Sequence, residues 1–158
     1  MPDELKERNI IRGCSIHKGP QFVYDGDSQI WLKNDESKKL RYIRHTFQFC
    51  PIKAVDDSDE KKIVTKIYHD GIVEISEYSG KKKTSFIRKQ VSNEELGELI
   101  DRLNSCDYYP SDYCDAMSYV SYVYTDGKFD HFKASPACLD IFVDRLEYNT
   151  HYVVRINL

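Results

Sequence analysis

The chain has 158 residues, 41% of them hydrophobic, and a formal net charge of −3 from 26 acidic and 23 basic side chains. This length is close to the commonest size of one domain, and the apolar content suffices for a buried core and argues against disorder. So small a charge excludes long-range steering of the chain as a whole towards nucleic acid or an acidic membrane, and no run approaches the ~20 apolar residues that span a bilayer.

The N-terminal residues, Met1 to Arg8, are charged and lack the apolar stretch of a secretory signal, so no membrane association and a cytoplasmic location are expected. Phe22 to Gly26 followed by Gln29 to Leu32 reads as a short hairpin. Leu40 to Phe49 alternates, placing Ile43, His45, Phe47 and Phe49 on one face of a strand. Asp56 to Glu60 is an acidic run expected to be a solvated loop, without the glycine and spacing of a calcium loop.

From Ile63 onward the sequence repeats itself. Val64 to Gly71 and Val120 to Gly127 are both β-forming runs that end in Tyr-x-Asp-Gly and continue into a second such run. Asp-Gly between two strand-forming runs signals a hairpin. A three-residue loop, His69-Asp70-Gly71, sets Ile67 opposite Val73 and Lys66 opposite Glu74. A two-residue loop would instead oppose Ile67 to Glu74. Like apolar groups and opposite charges across strands each favour a register by roughly 0.2–1 kcal/mol, so the three-residue loop with a glycine bulge is expected. The same loop in the second hairpin pairs Val123 with Phe129.

A third strand follows from about Thr84 to Gln90. Ser92-Asn93-Glu94-Glu95 then has the form of a capping box, and Leu96, Leu99, Ile100 and Leu103 make one apolar helical stripe. In the second half Ser135 reads as an N-cap with Pro136 at the first helical position, followed by Leu139, Phe142, Val143 and Leu146. Tyr152, Val154, Ile156 and Leu158 alternate as a final strand. The expectation is one α+β domain over 1–158, a mainly antiparallel sheet with two helices on one face. Its β-β-β-α-β-β-α core is built from a duplicated hairpin-helix unit, with N-terminal strands and loops in 1–62, the two units in 63–105 and 117–147, and a last strand in 151–158.

The chemistry is less legible. The five cysteines (Cys14, Cys50, Cys106, Cys114, Cys138) include no C-x-x-C pair, and in the cytosol they would stay reduced. Asp112 and Asp115 would raise the Cys114 thiol, whereas Cys138, in the first turn of a helix, would be lowered by its dipole. Cysteine is nonetheless most often a small buried apolar residue. The five histidines are scattered singly, with no zinc spacing, and His45 reads as a hydrogen-bonded core residue. No glycine-rich nucleotide loop is present, and neither a catalytic residue, a metal site nor a cofactor is expected.

Two surface patches remain as candidates. Tyr108, Tyr109, Tyr113, Tyr119, Tyr122 and Tyr124 lie among Asp107, Asp112, Asp115, Asp126 and Asp130, with only Lys128 opposing. Tyrosine is enriched at interface hot spots, and the carboxylates would favour a basic protein partner. The leading expectation is therefore a non-catalytic protein-binding module of inhibitor, immunity or accessory type, working through Asp107, Tyr108, Tyr109, Asp112, Tyr113 and Asp115. Lys81, Lys82 and Lys83, with Arg88 and Lys89 beyond and Phe86 as a stacking face, form a basic strand turn that suits nucleic acid, the third reading. An enzyme whose Cys or His site is assembled from distant residues is the second reading, and open sheet edges would also admit a homodimer.

Overall fold

A computed structural model of the chain describes residues 17–34, 37–49, 60–108, 116–148 and 154–157. In chain order the elements are β1 (His17–Lys18), β2 (Phe22–Asp25), β3 (Ile30–Lys33), β4 (Lys38–Phe49), β5 (Lys61–Tyr68), β6 (Ile72–Ser79), β7 (Lys82–Gln90), α1 (Asn93–Ser105), β8 (Asp107–Tyr108), β9 (Ala116–Tyr124), β10 (Phe129–Phe132), α2 (Ala137–Tyr148) and β11 (Val154–Asn157). The class is α+β. One antiparallel sheet runs in the order β10-β9-β4-β5-β6-β7-β11, and the β2–β3 hairpin joins it through β3 at the start of β4. A separate two-residue ladder pairs β1 with β8.

Both Asp-Gly hairpins adopt the register that charge and apolar pairing favour. Ile67 faces Val73, Lys66 faces Glu74, and Val123 faces Phe129. In each loop the glycine amide donates to the tyrosine carbonyl three residues back, Gly71 to Tyr68 and Gly127 to Tyr124. Gly71 and Gly127 take φ of +88° and +86°, the left-handed conformation such a bulge requires. At Gly71 space is limiting too, because a Cβ there would lie 2.4 Å from the Val91 carbonyl oxygen, whereas Gly127 faces open space.

The period of two divides the sheet into unlike faces. Ile43, Ile67, Val73, Ile75, Ile87, Val120, Tyr122 and Tyr124 point to one side and are buried. Helices α1 and α2 cover that side with Leu96, Leu99, Ile100, Leu103, Leu139, Val143 and Leu146. Each such aliphatic side chain contributes about 1.5–3 kcal/mol when fully withdrawn from water. The cap of α1 differs from a full capping box. The Ser92 hydroxyl accepts from the Glu95 amide at 3.1 Å, but the Glu95 carboxylate accepts from that same hydroxyl at 3.2 Å. At α2 the cap sits one residue later than the sequence suggests. The Pro136 carbonyl accepts from the amide of Asp140, and the Ser135 hydroxyl donates to the Asp140 carboxylate at 2.8 Å, so the proline precedes the first helical turn.

The β2–β3 hairpin is tied down from a distance. The Phe22 amide donates to Asn104 Oδ1, and Asn104 Nδ2 donates to the Phe22 carbonyl, each at 2.8 Å. This two-point clasp holds the Phe22 ring in the core, 5.3 Å from that of Tyr122.

Candidate functional site

The acidic tyrosine segment divides between core and surface. Tyr108 is 0% exposed, its hydroxyl is hydrogen-bonded to that of Tyr122, and its ring packs 4.9 Å from Phe132. Burial pushes both phenols well above their usual pKa, so they stay neutral. Tyr124 is also buried and donates to Asp130 at 2.6 Å, where Lys33 Nζ approaches the same oxygen at 2.9 Å. Burial alone would raise the Asp130 carboxyl, but these two donors outweigh it and hold it low. A tyrosine predicted from its loop context to face a partner is therefore a core residue, because β8 brings Tyr108 under α2 and β10. Asp107 is half-buried in β8, and Tyr109, Asp112, Tyr113, Cys114 and Asp115 lie outside the described residues.

Among the described residues, His45 and the two thiols stand in separate arrangements. His45 is buried and its Nε2 meets Asp140 Oδ1 at 2.8 Å, the oxygen to which Ser135 also donates. The order is Ser-Asp-His, with the carboxylate between the other two, so the imidazole is not placed to take the serine proton as a hydrolase needs. Cys106 and Cys138 bring their sulfurs to 2.6 Å. Contrary to the dipole expectation, the Cys138 thiol is pushed up to about 12. Burial and the Cys106 contact outweigh the amides of the first helical turn. Among the described residues no group of three or more His, Cys, Asp or Glu side chains stands close enough to hold a metal ion, and no helix is long and apolar enough to cross a membrane.

A cleft of about 610 Å³ opens between α1, α2 and the end of β7. Its floor is apolar, with Leu99 and Phe142, and Glu95, Arg102 and Arg145 stand around it. Lys89, grouped with Arg88 in sequence, turns into this side and donates to the Leu146 carbonyl at 2.7 Å. Burial lowers its pKa, with Glu95 opposing the shift.

The face of the sheet away from the helices carries a different composition. Register places three rows of side chains across it, perpendicular to the strands. The first is His131, Ser121, Arg44, Lys66, Glu74 and Arg88; the next is Tyr119, Thr46, Val64, Ser76 and Phe86; the last described row has Lys62, Tyr78 and Lys83. A further row at the hairpin end contains Phe129, Val123, Tyr42 and Tyr68. Thr46, Val64 and Ser76 thus form the middle of a shallow trough between the Tyr119 and Phe86 rings, bordered on both sides by cations; Val64 and Ser76 are buried beneath their neighbours, and past Phe86 the sheet continues into β11, where Ile156 pairs with it. Strand spacing puts the two end residues about 19 Å apart and the bordering rows about 13 Å apart.

Charge on this face runs against that of the chain. Arg44, Lys62, Lys66, Lys83 and Arg88 project from it, and among the described strand residues the one carboxylate is Glu74. Cations and rings interleave: Lys83 Nζ is 4.6 Å from the Phe86 centroid, Lys62 5.0 Å from Tyr78, and Lys66 5.2 Å from Tyr42. Tyr68 donates to Glu74 at 2.8 Å, and its phenol is pushed up to about 12 by burial and that bond. Phe129 is 64% exposed. Of the basic strand turn named from sequence, Lys83, Phe86 and Arg88 join this face, while Lys81 and Lys82 are exposed at its edge. The signal that finds Arg44, Lys62 and Lys66 is strand parity combined with register, which local spacing does not contain. No protein-family model, curated protein or solved structure matches the chain.

Proposed function

We propose that the protein is a non-catalytic binding module whose working surface is the sheet face away from the helices, and that its ligand is single-stranded nucleic acid. The observation that carries this reading is the composition of that face, where the described strand residues include five cations, one carboxylate and the interleaved rings of Tyr119 and Phe86, in a chain whose net charge is −3. Phosphates are drawn to the bordering cations, and exposed bases stack on Tyr119 and Phe86. Base–aromatic stacking is worth about 1–3 kcal/mol per base. A cation–π contact at an exposed site is worth about 0.5–1 kcal/mol, so exchanging the lysine–ring contacts for base–ring contacts is favourable. A duplex hides its base faces in its own stack, which makes the single strand the better ligand. This reading takes up the nucleic-acid alternative in place of the protein-binding module expected from sequence, because the acidic segment on which that module rested gives Tyr108, Tyr122 and Tyr124 to the core.

Fluorescence anisotropy with a labelled single-stranded oligonucleotide, and with its duplex, tests this. Saturable binding of the single strand that weakens with salt and exceeds that of the duplex is expected. Tyr119→Leu with Phe86→Leu removes both stacking rings without changing charge and should weaken binding about 10-fold or more. Full affinity in that double variant would leave only an electrostatic surface, and no binding at about 50 mM salt would end the reading.

A further inference from the structure

We infer that Cys106 and Cys138 form a reversible intramolecular disulfide that clasps the end of α1 to the start of α2. Two elements set the pair. Cys106 ends α1 by turning to an extended conformation (φ −82°, ψ 147°), with its amide bonded to the Leu103 carbonyl. Cys138 occupies the first turn of α2, behind the Pro136 cap. Both helices are fixed by the shared core, and both cysteines pack against it. The sulfurs meet at 2.6 Å across 32 residues of sequence, so the backbone already holds them where a bond of about 2.04 Å can close by side-chain adjustment.

The oxidant is a small-molecule disulfide of the glutathione class. The Cys106 thiolate attacks one sulfur of that disulfide, forming a mixed disulfide and expelling one thiolate. Cys138 then loses its proton and attacks Cys106 Sγ, expelling the second. The chain loses two electrons and two protons, and the small disulfide is reduced to two thiols. Burial holds the Cys138 thiol up to about 12, so it attacks second, where its contact with Cys106 offsets a low thiolate fraction. Both side chains are half-buried, which leaves Cys106 within reach of a small reagent.

The full chain, incubated with oxidised glutathione, alkylated in denaturant and digested, reports the outcome by peptide mass. A cross-linked peptide joining residues 106 and 138, lighter by two hydrogens and restored by dithiothreitol, is expected. In Cys138→Ser the reaction should stop with glutathione on Cys106. Closing a loop of this length should raise Tm by roughly 10 °C relative to the reduced chain. Complete alkylation of both cysteines, separate glutathione adducts on each, or bridging of either to Cys14, Cys50 or Cys114 would overturn the assignment.

Discussion

Replacing Arg44 and Lys66 by alanine removes two of the five cations that border the trough. Binding of a single strand releases counterions, and log K falls against log salt with a slope of about −0.7 for each phosphate neutralised. Five contacts predict a slope near −3.5, which over a fourfold rise in salt is a loss of about 100-fold. The double variant should show a slope near −2.1 and lose only about 20-fold over the same range. Arg102→Ala with Arg145→Ala removes the same charge from the helix cleft on the opposite side and should leave the slope near −3.5. Anisotropy titrations at several salt concentrations measure the three slopes. Equal slopes in the wild type and the Arg44/Lys66 variant would refute a site on this face. Equal reductions in both double variants would show that net charge matters and the trough does not.

Two further outcomes follow from the fold. Gly127→Ala meets only the cost of a left-handed backbone, about 1–2 kcal/mol, whereas Gly71→Ala adds a clash with the Val91 carbonyl and should cost about 1–3 kcal/mol more; equal urea midpoints would contradict the close approach of that loop to the β7–α1 turn. Tyr68 and Cys138 titrate near 12 in the folded chain, and Tyr108 and Tyr122 are also raised, against ordinary values of 10.0 for tyrosine and 9.0 for cysteine. The unfolded chain therefore loses these protons first, so their contribution is complete below about pH 9 and declines as pH rises towards 12. Urea midpoints under reducing conditions should fall from about pH 9 to 11, with a smaller fall in Tyr122→Phe; a midpoint constant over that range would mean that these groups titrate alike in both states.

Much of the architecture was written in local pattern. Tyr-x-Asp-Gly specifies the hairpin loops because few residues other than glycine accept φ near +88°. Ser92 and the Leu96–Leu103 stripe specify α1 because its cap and apolar face both lie within a few turns of sequence. Strand parity in 40–49 correctly put Ile43 and His45 on one side. None of this says which strands are neighbours. Tyr108 looked like a surface anchor beside Asp107, and only the packing of β8 beneath the second half shows that it fills the core. Lys89 looked like part of a basic patch with Arg88, yet adjacent strand residues point to opposite faces and one of the two is enclosed.

The surface proposed to bind depends on pairings that no local motif encodes. Arg44 lies beside Ser121 on one side and Lys66 on the other, and Lys66 in turn faces Glu74, itself opposite Arg88. Sequence alone determined the longer strands, the Asp-Gly turns, the two helices and which residues of those strands share a side; the short β1 and β8 were not legible in it. Tertiary structure decided which of those sides the helices cover and which cations and rings meet across β9, β4, β5, β6 and β7. Backbone conformation is chosen by neighbours in the chain, whereas a face is assembled by hydrogen bonds between segments far apart in it.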